Sequence, residues 1–159
     1  MIDRPYLYPF YAEPHPRRDR IVLRPVVRFS IGDERLAVDA LVDSGSEHVL
    51  ADSTLALAVG IDLAEPVGVE PIGIGGGFVE ARFVEVQGFL HPPHGVNAEP
   101  VSWVLDVGFI DSWRPLYPCI LGSIGFLNQF TVTMSRFAHT TAIEPLDVFD
   151  ERFGLVLPT

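Results

Sequence analysis

The chain has no lysine, one cysteine and two methionines among its 159 residues. Without lysine there is no Gly-Lys-Ser/Thr phosphate loop, which excludes a Walker-type nucleotide site. A single thiol, Cys119, excludes an intramolecular disulfide, and its place in the apolar run Cys119-Ile120-Leu121 reads as a buried, inert group. Basic charge is scarce: eleven arginines stand against twenty-one acidic side chains, for a formal charge of −10. A surface of that sign repels a phosphate backbone, so nucleic acid is not an expected partner. No apolar run approaches the roughly 20 residues of a membrane span. The N-terminus, Met1-Ile2-Asp3-Arg4-Pro5-Tyr6, lacks a charged segment followed by a long apolar stretch, so the expectation is a cytoplasmic location and no membrane partner.

What is present points to a core built from strands. Hydrophobic residues make up 48% of the chain, which argues against disorder and for one domain large enough to bury a core without metal or disulfide. Fourteen glycines and fourteen prolines favour short strands joined by turns, so the expected class is all-β.

The most informative junction is Asp43-Ser44-Gly45, directly behind the apolar run Ala37-Val38-Asp39-Ala40-Leu41-Val42. Small and β-branched apolar residues read as a buried strand, and the glycine ends it, so the strand delivers a carboxylate onto a tight turn. By itself the tripeptide equally fits a strand ending at a surface turn. A second apolar run ending in glycine, Cys119-Ile120-Leu121-Gly122, comes later, followed by Ser123-Ile124-Gly125-Phe126-Leu127-Asn128-Gln129-Phe130, which reads as a short helix. Between them lies Pro71-Ile72-Gly73-Ile74-Gly75-Gly76-Gly77-Phe78-Val79-Glu80, a glycine-dense stretch running into alternating residues.

In that order these elements resemble the retropepsin-like aspartic proteases, over about residues 21–143. The resemblance implies a single-domain closed β-barrel with a flap hairpin and one or two short helices, active as a homodimer. It implies that Asp43 is the catalytic aspartate, Ser44 the hydroxyl that grips the partner loop, and Gly45 a backbone contact to substrate. Ser46, Glu47 and His48 would follow as pocket residues, with Ile72, Gly73, Ile74, Gly75, Gly76, Gly77 and Phe78 as the flap. Ile120, Leu121 and Gly122 would brace the catalytic loop. The pattern departs from the family at Ser123-Ile124-Gly125, which offers neither a carboxylate nor a guanidinium to brace a dimer.

Residues 1–20 interleave Tyr6, Tyr8, Phe10 and Tyr11 with Pro5, Pro9, Pro14 and Pro16, and read as an extended arm that docks on the body or on a second subunit. Residues 21–31 read as a strand, Gly32-Asp33-Glu34 as a turn, and 35–42 as the return strand. A short helix is expected from Asp52 or Ser53 to Gly60, and strands over 83–90, 101–107 and 131–134. Residues 144–159 form a C-terminal tail, a candidate for the dimer interface by the same resemblance.

His91 and His94 have His-x-x-His spacing, but Pro92 and Pro93 prevent the helix that would align them, and no ligand set is completed nearby, so no metal and no cofactor are expected. Ser46, His48 and Asp43 invite a nucleophilic-triad reading, although no Gly-x-Ser-x-Gly elbow supports it. One Asp-Ser-Gly per chain implies that two copies must supply the paired carboxylates of an aspartic endopeptidase acting on a peptide or protein substrate. Two other classes stay open: a catalytically silent dimeric barrel that binds peptides or a protein partner in the same cleft, and a structural dimerisation module.

Overall fold

The structure, a computed structural model, describes residues 5–114 and 116–154. Its elements in chain order are β1 (Tyr6–Pro9), β2 (Tyr11–Pro14), β3 (Ile21–Arg24), β4 (Val26–Ile31), β5 (Val38–Val42), β6 (Val49–Asp52), α1 (Ser53–Val59), β7 (Gly68–Ile74), β8 (Gly77–Leu90), β9 (Val101–Ile110), β10 (Cys119–Leu121), β11 (Phe130–Ser135), β12 (Thr140–Pro145) and α2 (Leu146–Phe153).

β8 organises them. One of its edges pairs with β9 without interruption from Ala81↔Ile110 to Leu90↔Val101. The other edge is shared, its first half taken by β7 and its last three residues by β4. That last pairing closes the order β4-β5-β10-β6-β9-β8 back onto β4, giving a six-stranded barrel with β7 hanging from β8. The all-β, closed-barrel expectation holds.

Burial along β8 changes face midway. Ala81 and Phe83 are buried on one side, Val86 and Leu90 on the other, while the ladder to β9 stays in register. The second face joins the barrel interior with Phe29, Val42, Val49, Val107, Phe109 and Leu121. The first face joins a smaller cluster with Leu50 and Ile110, against which Ile72, Ile74 and Trp113 pack. Each buried Phe or Leu contributes roughly 1.5–3 kcal/mol. The sheet β6-β9-β8 is thus apolar on both faces, and the smaller face lies under the β7–β8 hairpin.

Three local expectations are corrected. The strand over 21–31 is two strands, because Pro25 has no N–H for the ladder; its carbonyl accepts from Val42 N at 2.9 Å. Residues 35–37 belong to the turn, because the Asp33 carboxylate takes the Arg35 backbone N–H (2.9 Å) and holds the chain bent until Val38. Residues 123–129 form turns, not a helix, and Phe130 already opens β11: Leu127 N and Asn128 N reach back five residues to Gly122 O and Ser123 O, and the Asn128 side chain takes Gly125 N–H (3.0 Å). α1 lies where expected, with the Asp52 side chain capping Thr54 N at 2.9 Å.

Within residues 5–20 the arm folds onto its own body. β1 pairs with β12, which also pairs with β11, and Tyr6 and Tyr8 enter the core. Tyr8 donates its hydroxyl hydrogen to His91 O. β1 ends at Pro9 and β12 at Pro145, so each proline stands at a strand end rather than in the ladder's interior. In the tail, α2 follows β12 directly, and Arg152 donates to the buried Glu144 at 3.0 Å. Residues 1–4 of the arm and 155–159 of the tail lie outside the described residues.

The β2–β3 ladder places the buried Glu13 against Arg24 Nε (2.9 Å) and the Tyr117 hydroxyl (2.8 Å). Burial pushes the Glu13 carboxyl up, but the hydrogen bonds from Arg24 and Tyr117 and the Arg24 charge outweigh it, so the group ends below the ordinary carboxylate range. A depressed folded-state pKa adds stability above the unfolded pKa and loses it as pH falls through the folded one. Glu13→Gln is therefore expected to destabilise the protein by about 1–3 kcal/mol at neutral pH. The gap to wild type should close on acidification below the usual glutamate range, as read by denaturant unfolding over a pH series; a gap that widened towards acid would contradict this assignment.

Candidate active site

Asp43 stands where β5 ends. Its N–H donates to Leu121 O (3.0 Å), its carbonyl accepts from Ser46 N (3.1 Å), and its Oδ1 accepts from Gly45 N (2.9 Å). The carboxylate is held by its own turn and is half-buried.

The turn is locked from behind. β10 inserts between the two limbs that flank it, parallel to β5 (Ile120↔Leu41, Leu121↔Val42) and antiparallel to β6 (Cys119↔Ala51, Ile120↔Leu50). Just past β10, Ser123 N donates to Ser46 O (2.9 Å) and Ile124 N to Glu47 O (2.7 Å). Gly122 lies between these contacts against backbone, with no room for a side chain. Ile120 faces the cleft, while Leu121 and Gly122 are buried behind it.

A cleft of about 440 Å³ opens in front of Asp43. Gly45, Ser46, Glu47 and His48 line it from the turn, and Ile72, Gly73, Ile74 and Gly75 from the hairpin. Sequence reasoning missed Leu50, Pro71 and Trp113 in the same wall. Trp113 was the detectable one, a large aromatic in the polar stretch Asp111-Ser112-Trp113-Arg114. Ser44 is exposed and, like Gly76, Gly77 and Phe78, does not line the cleft. Phe78, at the hairpin end, is 81% exposed.

His48 connects the two walls. Its ring packs edge-on against Phe83 (4.9 Å between centroids), and its Nε2 lies 3.9 Å from a Glu70 oxygen on β7. Ser46 Oγ donates to His48 O at 2.7 Å, so it is not turned to the imidazole as a triad serine would be. His91 Nε2 lies 2.8 Å from Ser30 Oγ, and burial, then the Arg28 charge, lower its pKa. Cys119 is fully buried, which pushes its thiol far up and leaves it unreactive. Among the described residues no three His, Cys, Asp or Glu side chains cluster as a metal site.

The hairpin turns in two residues, Ile74↔Gly77 being the last pair, with φ of 61° at Gly75 and 87° at Gly76. Both torsions lie in the left-handed region that a two-residue type I′ turn requires. Gly76→Val is expected to cost roughly 1–2 kcal/mol, all of it local. Hydrogen exchange should show faster opening of β7 amides with unchanged barrel protection; equal loss across the barrel would show that the hairpin does not open separately.

No protein-family model matches the sequence, and no curated protein matches it.

Proposed function

We propose that this chain is one subunit of a homodimeric, retropepsin-like aspartic endopeptidase. The observation that carries the reading is a carboxylate on a turn braced by β10 and facing a cleft whose opposite wall is a glycine-turned hairpin. Peptide hydrolysis by water needs a base for the water and an acid for the leaving nitrogen. Two carboxylates about 3 Å apart share one proton and supply both. Each chain has one Asp-Ser-Gly, so the second carboxylate is the partner's copy across a two-fold axis.

The remaining parts have matching roles. Gly45 N–H orients the Asp43 carboxylate, and Leu50, Ile72, Ile74 and Trp113 give an apolar wall for substrate side chains. Among the described residues β7 is the last strand of its sheet, so an extended peptide can add to its free edge. The hairpin would act as a flap that closes over the peptide and excludes water.

The test is incubation with a mixed peptide pool at acidic and neutral pH over a dilution series. Cleavage whose rate per chain falls on dilution through the dimer dissociation constant supports the shared pair. A rate per chain unchanged by dilution would exclude it, and peptide binding without cleavage would make the cleft a silent binding site.

A further inference from the structure

We propose that the second cavity lined by Trp113, about 720 Å³ at the paired ends of β6 and β9, binds a neutral saccharide ring. The proposal goes beyond the peptidase reading and does not depend on it.

The barrel assembles this cavity. Asp52 and Ile110 are partners in the parallel β6–β9 ladder, so Asp52-Ser53-Thr54 and Asp111-Ser112-Trp113-Arg114 leave the sheet side by side. Asp52 N donates to Pro118 O at 3.1 Å, which fixes the chain before β10 as a further wall. Asp52 is 9% and Ser53 8% exposed, so the polar groups at the back of the cavity are held by packing. Asp52 accepts from Thr54 N and Thr54 Oγ1 on Oδ1 alone, and among the described residues no hydrogen bond is made to its Oδ2. The end of α1 is not itself the feature, because the Thr54 N–H is already taken by Asp52.

Asp111 completes the opposite wall, with Oδ2 held by Arg82 at 2.5 Å. A hydrogen bond from Ser53 outweighs the burial that would raise it, and the Arg82 charge lowers it further, so the Asp111 carboxyl lies below the ordinary carboxylate range. It is an acceptor at neutral pH.

The wall selects a ligand class by exclusion. An anion would meet the carboxylates of Asp52 and Asp111. A cation would meet Arg114, while Asp111 already has Arg82 as its counter-charge. An apolar molecule would strip water from two carboxylates, three hydroxyls and a guanidinium and return no hydrogen bonds. These acceptors, hydroxyls and donors are satisfied together by a ligand whose every polar group both donates and accepts, which is a ring of hydroxyls. The half-buried Trp113 stands beside them, and the negative face of an indole attracts the polarised C–H groups on the flat side of such a ring. The volume lies within the roughly 300–1,000 Å³ of small-molecule sites. Trp113 also lines the cleft, so a sugar carried on a peptide in the cleft and a free oligosaccharide are two sources of the same ring.

The test titrates the wild-type chain with cellobiose, maltose and N,N′-diacetylchitobiose, and separately with arginine amide and inorganic phosphate, following the indole N–H resonances by NMR. At least one disaccharide is expected to shift Trp113 saturably with a Kd of roughly 1 mM or below. Trp103, whose indole N–H donates to Gly125 O at 2.8 Å, should not respond. Asp111 and Arg114 are exposed and do not line the cleft, so Asp111→Asn and Arg114→Gln test this cavity alone with little risk to the fold. Each is expected to weaken saccharide binding about ten-fold with an unchanged thermal melt. No shift with any disaccharide up to about 10 mM would overturn the proposal. So would saturable binding of arginine amide or phosphate in place of the sugars, or saccharide binding that both variants leave unchanged. A peptide carrying N-acetylglucosamine on a serine, set against the bare peptide mixed with free sugar, separates the two sources. Binding of the glycopeptide tighter than either part by about ten-fold assigns the ring to a modified substrate, and equal binding assigns it to a free oligosaccharide. Saccharide binding without cleavage of any peptide would uphold the site and remove only the peptidase reading.

Discussion

Asp43→Asn is expected to reduce peptide cleavage by on the order of 10⁴-fold while leaving the fold and the association of chains intact. Asparagine has the shape of aspartate and its carbonyl oxygen still accepts from Gly45 N, so the 2.9 Å contact that orients the side chain survives. What disappears is the titratable oxygen. In the proposed pair one carboxylate takes a proton from water while the other, protonated, gives one to the leaving nitrogen, and the proton must be shared between them. An amide does neither. Mixing wild type with an excess of the variant should therefore titrate activity away as mixed dimers form, because one intact Asp43 does not suffice. The measurements are hydrolysis of a fluorogenic peptide found in the pool, sedimentation velocity and a thermal melt. Wild-type turnover by Asp43→Asn would remove the aspartic mechanism; lost turnover together with a collapsed melting temperature would mean that the change acted on folding.

Gly122→Ala is the largest stability loss we expect from one added methyl group. A Cβ at this position would lie 2.3 Å from His48 O, 2.6 Å from Ser46 O and 2.8 Å from His48 C. All three are backbone atoms of the Asp43 turn, so no rotamer change relieves the overlap. Moving them breaks the bonds from Ser123 N to Ser46 O and from Ile124 N to Glu47 O. The expected cost is roughly 3 kcal/mol, or about 6–12 °C in Tm for a domain of this size. Activity should fall further than the folded fraction, because the relaxed turn no longer holds Asp43 in place. Unfolding by denaturant with the folded fraction measured in parallel separates the two. A melting temperature within about 2 °C of wild type, well short of that range, would mean that the turn and the β10 segment are not locked as described.

The strand-end carboxylate, the capped helix α1 and a hairpin in the glycine-dense stretch were legible because each depends on neighbours in sequence; that the hairpin turns in two residues came from the structure. Asp52 caps a backbone N–H two residues on, and Gly75-Gly76 have torsions that most other residues resist. The stretch 123–130 was misread as a helix because its spacing looks helical, whereas the chain there spends Ser123 N and Ile124 N on a loop some 75–80 residues earlier in sequence. The arm read as extended, which it is, but its destination depended on an unpaired β12 edge that no local pattern reveals. Leu50 and Trp113 were absent from the expected cleft for the same reason. Their cleft face exists only because β8 buries opposite sides in its two halves.

Composition and local pattern alone determined an all-β chain without disulfide or Walker loop, a carboxylate delivered to a turn, and a glycine hairpin, since these follow from backbone torsions and from the period of burial. The tertiary structure decided that β10 threads between β5 and β6, that β4 closes on β8, and that turn and hairpin face one cleft. Strand pairing is set by which apolar faces can be buried together across the whole chain, and that is a property of no single segment.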